Sequence, residues 1–165
     1  MWLISNIEQV KKVYPEISLF ESNENFIVFD ENFFSDEANN HWFVNGFVSL
    51  RKGNDIPVKE TSSKEIILSC HGKYKDAFIE KIKGNFIIGQ IDAAMIRLYS
   101  DRFGLNKFFC WSEGNSFIIS DSIHEIARHV KLAISVEAMG VYALLYHFTG
   151  GTTPFKNVKH NLPGL

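Results

Sequence analysis

Few residues of this 165-residue chain stand in a pattern that is typical of catalysis. Cys70 and His71 are adjacent, which suggests a thiol–imidazole pair of the kind that activates a cysteine as a nucleophile. Adjacent residues of a helix, however, point about 100° apart and do not face each other. The pattern therefore favours a buried thiol beside a surface histidine.

Metal-binding patterns are equally scarce. The two cysteines, Cys70 and Cys110, have no metal-ligand spacing, and the six histidines form no HxH or HExxH arrangement. Two cysteines cannot build a disulfide framework. The sequence therefore predicts no metal site and no disulfide scaffold.

The composition is that of a globular protein, with 45% hydrophobic and 22% charged residues. A formal net charge of −2 without a basic run argues against nucleic-acid binding. No apolar stretch approaches the roughly 18 residues of a membrane span, and the N-terminus does not resemble a signal peptide. We expect one domain over residues 1–165 and a cytoplasmic location.

The elements that must position any site alternate between strands and helices. Turn residues at Asp92-Ala93-Ala94 and at Glu113-Gly114-Asn115 each separate two apolar segments, which predicts two hairpins. The predicted strands are residues 26–29, 42–48, 85–92, 95–100, 108–111 and 116–120. Phe103, Phe108 and Phe109 are expected in the core.

Serine-capped segments with helical spacing predict the helices. Ser62 and Glu65 form a capping box before a helix that Gly72 should end. Ser122 and Glu125 form another capping box, and Ser135 should cap the last helix. Helices are expected after Asn6, from 63, over 75–83, to 129 and over 136–148, with an irregular chain after 151. The fold class is α+β with mostly antiparallel sheet.

Five short motifs follow one another from residue 62 to the end. They read Ser-Ser-Lys-Glu-Ile-Ile at 62–67, Ile-Lys-Gly-Asn-Phe-Ile at 82–87, Ser-Asp-Arg-Phe-Gly at 100–104, Ile-Ser-Val-Glu-Ala at 134–138, and Thr-Pro-Phe-Lys-Asn-Val-Lys at 153–159 with Leu-Pro-Gly at 162–164. In this order they resemble the N-terminal glutaminase domain of asparagine synthetases, a class II glutamine amidotransferase. The resemblance implies the N-terminal-nucleophile (Ntn) hydrolase fold, a four-layer α/β/β/α sandwich of two antiparallel sheets.

The nucleophile of that family is absent from this chain. In the family it is a cysteine at the mature N-terminus whose own α-amine acts as the base, so one residue supplies both groups. The second residue here is Trp2, and its bulk is expected to prevent removal of Met1. The resemblance therefore implies no catalytic residue in this chain.

The glutamine pocket of the family is also altered. Its Asn-Gly-Glu segment is matched by Asn45, Gly46 and Phe47, so the oxyanion-hole pair is kept while the carboxylate is lost. The aspartate that would bind the α-amine of glutamine is Ser63 here. A desolvated ammonium without these partners would cost several kcal/mol. The resemblance therefore implies four vestigial substrate-binding residues: Asn45, Gly46, Phe47 and Ser63.

Two of these motifs also have structural interpretations. The glycine of Asn45-Gly46 could simply ease the backbone at a strand end. Residues 101–104 (Asp101, Arg102, Phe103 and Gly104) could form an interface or an ion-paired type I turn, since Asp and Gly favour the two ends of such a turn. The structural interpretation is favoured for both.

The resemblance implies an inactive amidotransferase-like domain of an ATP-dependent, amide-forming ligase related to asparagine synthetases. Its synthetase domain would follow in cis, ATP and Mg would act only there, and no cofactor is expected in this chain. The alternatives are a stand-alone binding or scaffold module and a working glutamine-hydrolysing asparagine synthetase. Without the synthetase domain, this chain is expected to expose an apolar patch and to self-associate through it. The patch would consist of Val141, Leu144, Leu145, Phe148, Phe155 and Val158.

Overall fold

The structure is a computed structural model that describes residues 2–7, 10, 13, 18–22, 25–29, 33–36, 40–53, 56, 62–92 and 95–162. The chain forms two units. The first unit combines Met1–Glu31 with Lys107–Leu162, and the second unit contains the stretch Asn32–Asn106 that separates them in the chain.

Each unit is built on one antiparallel sheet. The elements, in chain order, are β1 (Trp2–Ser5), β2 (Ser18–Ser22), β3 (Asn25–Phe29), β4 (Phe33–Ser35), β5 (His41–Leu50), α1 (Ser63–Tyr74), a 3₁₀-helix (Lys75–Lys81), β6 (Ile82–Ile91), β7 (Ile96–Ser100), β8 (Phe109–Glu113), β9 (Ser116–Ser120), α2 (Ile123–His129), α3 (Val136–Leu145) and β10 (Val158–His160). The first unit contains the sheet β10-β8-β9-β1-β3-β2, and the second contains β4-β5-β6-β7.

In the second unit, α1 packs against one face of β5 and β6. Ser62 caps this helix: its Oγ accepts a hydrogen bond from the Glu65 amide at 3.4 Å, and the Glu65 carboxylate accepts one from the Ser62 amide at 3.1 Å. The core formed with the sheet contains Phe34, Trp42, Val44, Val48, Ile66, Ile67, Cys70, Phe78, Ile82, Phe86 and Ile88. Burial of each large apolar side chain contributes about 1.5–3 kcal/mol.

In the first unit, β1 lies in the interior of the sheet, between β9 and β3. Leu3 and Ile4 are fully buried, and both edges of this strand are paired. Asn6 then joins the chain to the turn after β8, since its Nδ2 donates to the Asn115 carbonyl at 2.7 Å and its Oδ1 accepts from the Phe117 amide at 2.9 Å. The core of this unit contains Leu3, Val10, Trp111, Ile118, Ile126 and Val158.

The predicted fold class is confirmed. The chain is α+β with two antiparallel sheets, and these sheets and helices are consistent with the four-layer sandwich. Both predicted hairpins are present, as β6 with β7 and as β8 with β9. Ser135 caps α3 as predicted, because its Oγ accepts from the Ala138 amide at 3.1 Å.

Several predicted details are wrong. Gly72 lies inside α1, and the segment after it is a 3₁₀-helix, not an α-helix. Ser122 begins α2 without a capping hydrogen bond from its side chain. The last helix ends at Leu145 because Tyr146 takes a left-handed conformation, with φ of +57°. The chain after Gly151 is not irregular throughout, since β10 pairs with β8.

The sequence did not predict β1, β2 or β4. The helix predicted after Asn6 falls largely outside the described residues. No described helix is long and apolar enough to cross a membrane.

Candidate functional site

Trp2, which the resemblance matches to the nucleophile of the family, is the first residue of β1. Its side chain is only 2% exposed, and its ring centroid lies 6.0 Å from that of Phe108. The backbone is held on both sides: the amide donates to Asp121 at 3.4 Å, and the carbonyl accepts from the Ser120 hydroxyl at 2.9 Å. A side chain enclosed in this way cannot contact a molecule that arrives from solvent.

Asn45 and Gly46 lie within the ten-residue strand β5, not at a strand end as the structural interpretation supposed. Gly46 pairs with Phe86 of β6 and has a φ of +102°, a conformation that L side chains rarely adopt. A Cβ there would overlap the carbonyl oxygen of Asn85 and come within 2.8 Å of Nδ2 of Asn106. Packing alone therefore requires glycine here, whatever its relation to an oxyanion hole.

Phe47 and Ser63 are the residues that the resemblance matches to two carboxylates of the family, and that match stays a prediction. Phe47 pairs with Asn85 in the β5–β6 ladder, and its ring is 63% exposed. Ser63 is the first residue of α1 and is half-buried, next to the capping residue Ser62. Neither side chain carries a charge, so neither could bind the ammonium group of an amino acid by charge pairing.

The loop after β7 is organised by the carboxylate of Asp101, which is almost fully buried. Its oxygens accept hydrogen bonds from the backbone amides of Phe103 at 2.9 Å, Leu105 at 3.1 Å and Asn106 at 3.5 Å. The Gly104 amide also donates to the Asp101 carbonyl at 3.0 Å, as expected for a tight turn. Backbone amides thus satisfy the carboxylate, and the predicted ion pair is not needed to explain the turn.

Phe103 does not belong to the core, so that prediction is wrong. Its side chain is 72% exposed and that of Leu105 is 64% exposed, while Phe108 and Phe109 are half-buried. The sequence patterns also did not predict the position of Asn106, whose side chain lies beside Gly46 of β5. No spacing could have revealed this contact, because it depends on how the loop lies against the strand.

Cys70 is buried as predicted, but the prediction of a surface histidine is wrong, because His71 is half-buried. Cys70 is fully buried, and burial raises the pKa of its thiol. The ring of His71 stands edge-on to Trp42, at 4.8 Å between centroids, and burial lowers its pKa. A protonated thiol and an uncharged imidazole facing aromatic rings are poorly suited to nucleophilic chemistry. In the described part of the chain, no three His, Cys, Asp or Glu residues could hold a metal ion together.

The helix α3 exposes apolar side chains on every side, and none of its residues is buried. Val136, which was not predicted for the patch, is 75% exposed. Leu144 is 81% exposed, and Val141 and Leu145 are exposed as predicted, but Phe148 is half-buried. Two other residues predicted for this patch belong to the core region instead. Val158 is buried in β10, and Phe155 is half-buried against the core of the first unit.

Comparison with known proteins gives a partial match. No protein-family model matches the chain. Asparagine synthetase [glutamine-hydrolyzing] 3 of Bacillus subtilis (strain 168) is 27% identical to it over 110 residues. The matched region is 64% of this chain but only 18% of that protein, so the chain spans a small part of its relative's length. This chain is thus a distant homologue, over part of its length, of an asparagine synthetase.

Proposed function

We propose that this chain is an amidotransferase-like domain without glutaminase activity, part of an ATP-dependent, amide-forming ligase related to asparagine synthetases. The observation that carries this proposal is Trp2. At the position where the family has its nucleophile, this chain has an indole ring that is buried and has neither a thiol nor a hydroxyl group.

The altered pocket supports the same conclusion independently. Binding of free glutamine in a desolvated site needs a carboxylate for the ammonium group. Phe47 and Ser63 supply an aromatic ring and a hydroxyl at the two matched positions. Because nucleophile, base and carboxylates are lost together, restoring one of them alone would not restore the reaction.

We predict that the purified chain releases no more glutamate from glutamine than buffer does. The Trp2→Cys variant should also fail to hydrolyse glutamine, although a new thiol would react with a small electrophile such as iodoacetamide. The reason is that the ammonium group would still meet Phe47 and Ser63. Glutamate formed over time is the quantity to measure.

The matched control is the variant that lacks both native thiols, Cys70→Ala with Cys110→Ala. Glutamate release that persists in this variant would contradict the proposal, because it would require a nucleophile other than any considered above. Efficient hydrolysis by Trp2→Cys alone would show instead that a glutamine pocket is intact.

The proposed ligase has a synthetase domain that follows this domain in cis. In support of this, the chain matches only 18% of a glutamine-hydrolysing asparagine synthetase. ATP and Mg would be bound by the synthetase domain, and this chain would need no cofactor. The proposed location is the cytoplasm.

The apolar helix α3 is the surface that we expect such a domain to cover. A helix that is hydrophobic on all sides is normally buried in a protein core. Without its cover, the isolated chain should self-associate as its concentration rises. We predict a mass increasing with concentration in light scattering, and a monomer for the double variant Val136→Lys with Leu144→Lys.

A matched control is Val13→Lys with Met95→Lys, which changes two exposed apolar residues outside α3. This control should associate like the unmodified chain. A strictly monomeric unmodified chain, or an equal effect of the control, would contradict the role of α3.

The second candidate function is a stand-alone binding or scaffold module with the same fold. The exposed apolar residues Phe47, Phe103 and Leu105 favour it, because they lie apart from α3 in the chain and belong to the other unit. Complementation of an asparagine auxotroph by the whole gene would favour the third candidate, a working asparagine synthetase.

A further inference from the structure

We propose that the junction between α1 and the 3₁₀-helix is a conformational switch that a single proton operates. The junction is closed while the imidazole ring of His71 is uncharged, and it opens when that ring takes up a proton. The parts of the switch are His71, Lys75 and the two aromatic rings that His71 contacts, those of Trp42 and Phe78. The proposal depends neither on the loss of glutaminase activity nor on a synthetase domain.

His71, in the last turn of α1, holds the junction through both its backbone and its side chain. Its carbonyl accepts a hydrogen bond from the Lys75 amide, at the residue that ends the helix. Its ring stands edge-on to Trp42, at 4.8 Å between centroids, and to Phe78, at 5.7 Å. Trp42 belongs to β5 and Phe78 to the 3₁₀-helix, so one imidazole ring connects three elements.

The backbone at the junction is strained. Lys75 has a φ of +50° and a ψ of −134°, which lies outside the left-handed helical region and suits glycine better than lysine. A residue keeps such a conformation only where the surrounding contacts hold it. The contacts of His71 are among these, so weakening them should release the junction.

The segment after the junction is an unusually long 3₁₀-helix. It runs over the seven residues Lys75–Lys81, although such helices seldom exceed about three or four residues. Its sequence contains neither glycine nor proline, and an α-helix is predicted there from its spacing. Phe78 is its one buried side chain. Attachment of the segment therefore depends on the ring contacts that Phe78 makes with His71 and Trp42.

Burial makes a charge on the His71 ring unfavourable in the closed state. It is the largest of the effects that lower the pKa of His71, because an imidazolium at this half-buried position would lose solvation. No described residue forms a hydrogen bond with this ring, so none would accept one from the imidazolium.

The charged groups that face His71 from the neighbouring elements nearly balance. They are two cations and two anions: Lys75, Asp36, Asp76 and Arg97. The cations lower the pKa of His71 and the anions raise it, and Arg97 is itself paired with Asp92 at 2.7 Å. The phenol of Tyr99 adds no charge, because burial raises its pKa. Burial therefore decides the direction of the effect.

The sign of the pH dependence follows from this direction. In the open state the ring lies in water and binds a proton near its ordinary value of about 6.5, whereas the closed state binds one only at lower pH. Above about pH 6.5 the ring is uncharged in both states, and the closed state keeps its full stability. Below that value, the equilibrium constant for opening should rise by at most about tenfold per pH unit, which is the limit for one proton.

Hydrogen exchange of the backbone amides, measured from about pH 7.5 to about pH 5.5 and corrected for intrinsic exchange rates, tests the proposal. Carboxylates ordinarily titrate near pH 4, below this range. Protection of residues 75–81 should fall with pH by up to about tenfold per unit below about pH 6.5. Protection of the β8–β9 hairpin, in the other unit, is the internal reference and should not change with it. The NMR signal of the His71 imidazole should titrate below about pH 6.5.

Two variants separate the parts of the switch. His71→Phe keeps a ring against Trp42 and Phe78 but cannot take up a proton, so the protection of residues 75–81 should no longer depend on pH. Lys75→Gly relieves the backbone strain and should raise that protection at about pH 7.5. The matched control is His129→Phe, which removes the half-buried histidine of α2, whose pKa burial also lowers. This control should leave the response of residues 75–81 unchanged.

The proposal is overturned if the His71 signal titrates at or above about pH 6.5, as it would if the helix C-terminus and the aromatic faces stabilised the imidazolium. It is also overturned if protection of residues 75–81 does not depend on pH, if His71→Phe keeps the dependence, or if Lys75→Gly lowers the protection. Should His71→Phe fail to fold, the two measurements on the unmodified chain still decide.

Discussion

Replacing Trp2 with alanine should lower the free energy of unfolding by about 3–5 kcal/mol, the usual cost of truncating a buried tryptophan. The ring is enclosed, and β1, which carries it, is an interior strand whose neighbours cannot easily collapse into the space left behind. Urea unfolding followed by circular dichroism gives the change directly. The variant Trp2→Phe should lose less stability than Trp2→Ala, because the smaller ring still fills part of the space.

Phe103→Ala is the matched control, since it removes an aromatic ring that is largely exposed. Its effect should stay within about 0.5 kcal/mol, as for most surface substitutions. A loss of less than about 1 kcal/mol for Trp2→Ala would show that the ring is not packed. It would also reopen the question of whether this position can accept a ligand.

Replacing Gly46 with alanine should cost about 3 kcal/mol or more. Two effects add, because a positive φ strains any L side chain and the new Cβ would overlap the Asn85 carbonyl oxygen. The change in the urea midpoint measures the loss. This substitution separates the two interpretations of Asn45-Gly46, since a glycine kept only as part of an oxyanion hole would tolerate alanine without loss of stability.

Gly72→Ala is the control for the same chemical change. Gly72 lies inside α1, and a Cβ there would meet no atom within 4 Å. Alanine should therefore be neutral or stabilise the helix by about 0.5–1 kcal/mol. Equal losses of stability for Gly46→Ala and Gly72→Ala would contradict the close approach of β5 and β6 at Gly46.

The parts of the fold that the sequence predicted are those with a local signal. The β8–β9 hairpin has apolar strands around Gly114-Asn115, and α1 has a capping box with apolar residues at helical spacing. The strand β10 has no comparable signal, because three residues are too few to show alternation. It exists because Val158 and its neighbours find β8 as a partner, and that partner lies far away in the chain.

For the site, the predicted loss of glutaminase chemistry rests on residue identity at Trp2, Phe47 and Ser63, and it stays a prediction. Exposure was not predictable in this way, because Phe103 is as apolar as any core residue. What turns Phe103 outwards is the set of backbone amides that Asp101 binds, and this arrangement is visible only in three dimensions.

The position of β1 has a consequence for how the chain emerges from the ribosome. Leu3 and Ile4 pair on one side with Val28 and Ile27, which are translated soon afterwards, and on the other side with Ser120 and Ile119. At roughly 5–20 residues per second, several seconds pass before the second partner strand is made. During that time one edge of an apolar strand stays open, and an open edge is a template for pairing with other chains. A nascent chain interrupted before β9 would keep that edge, so the pairing of β1 depends on late translation.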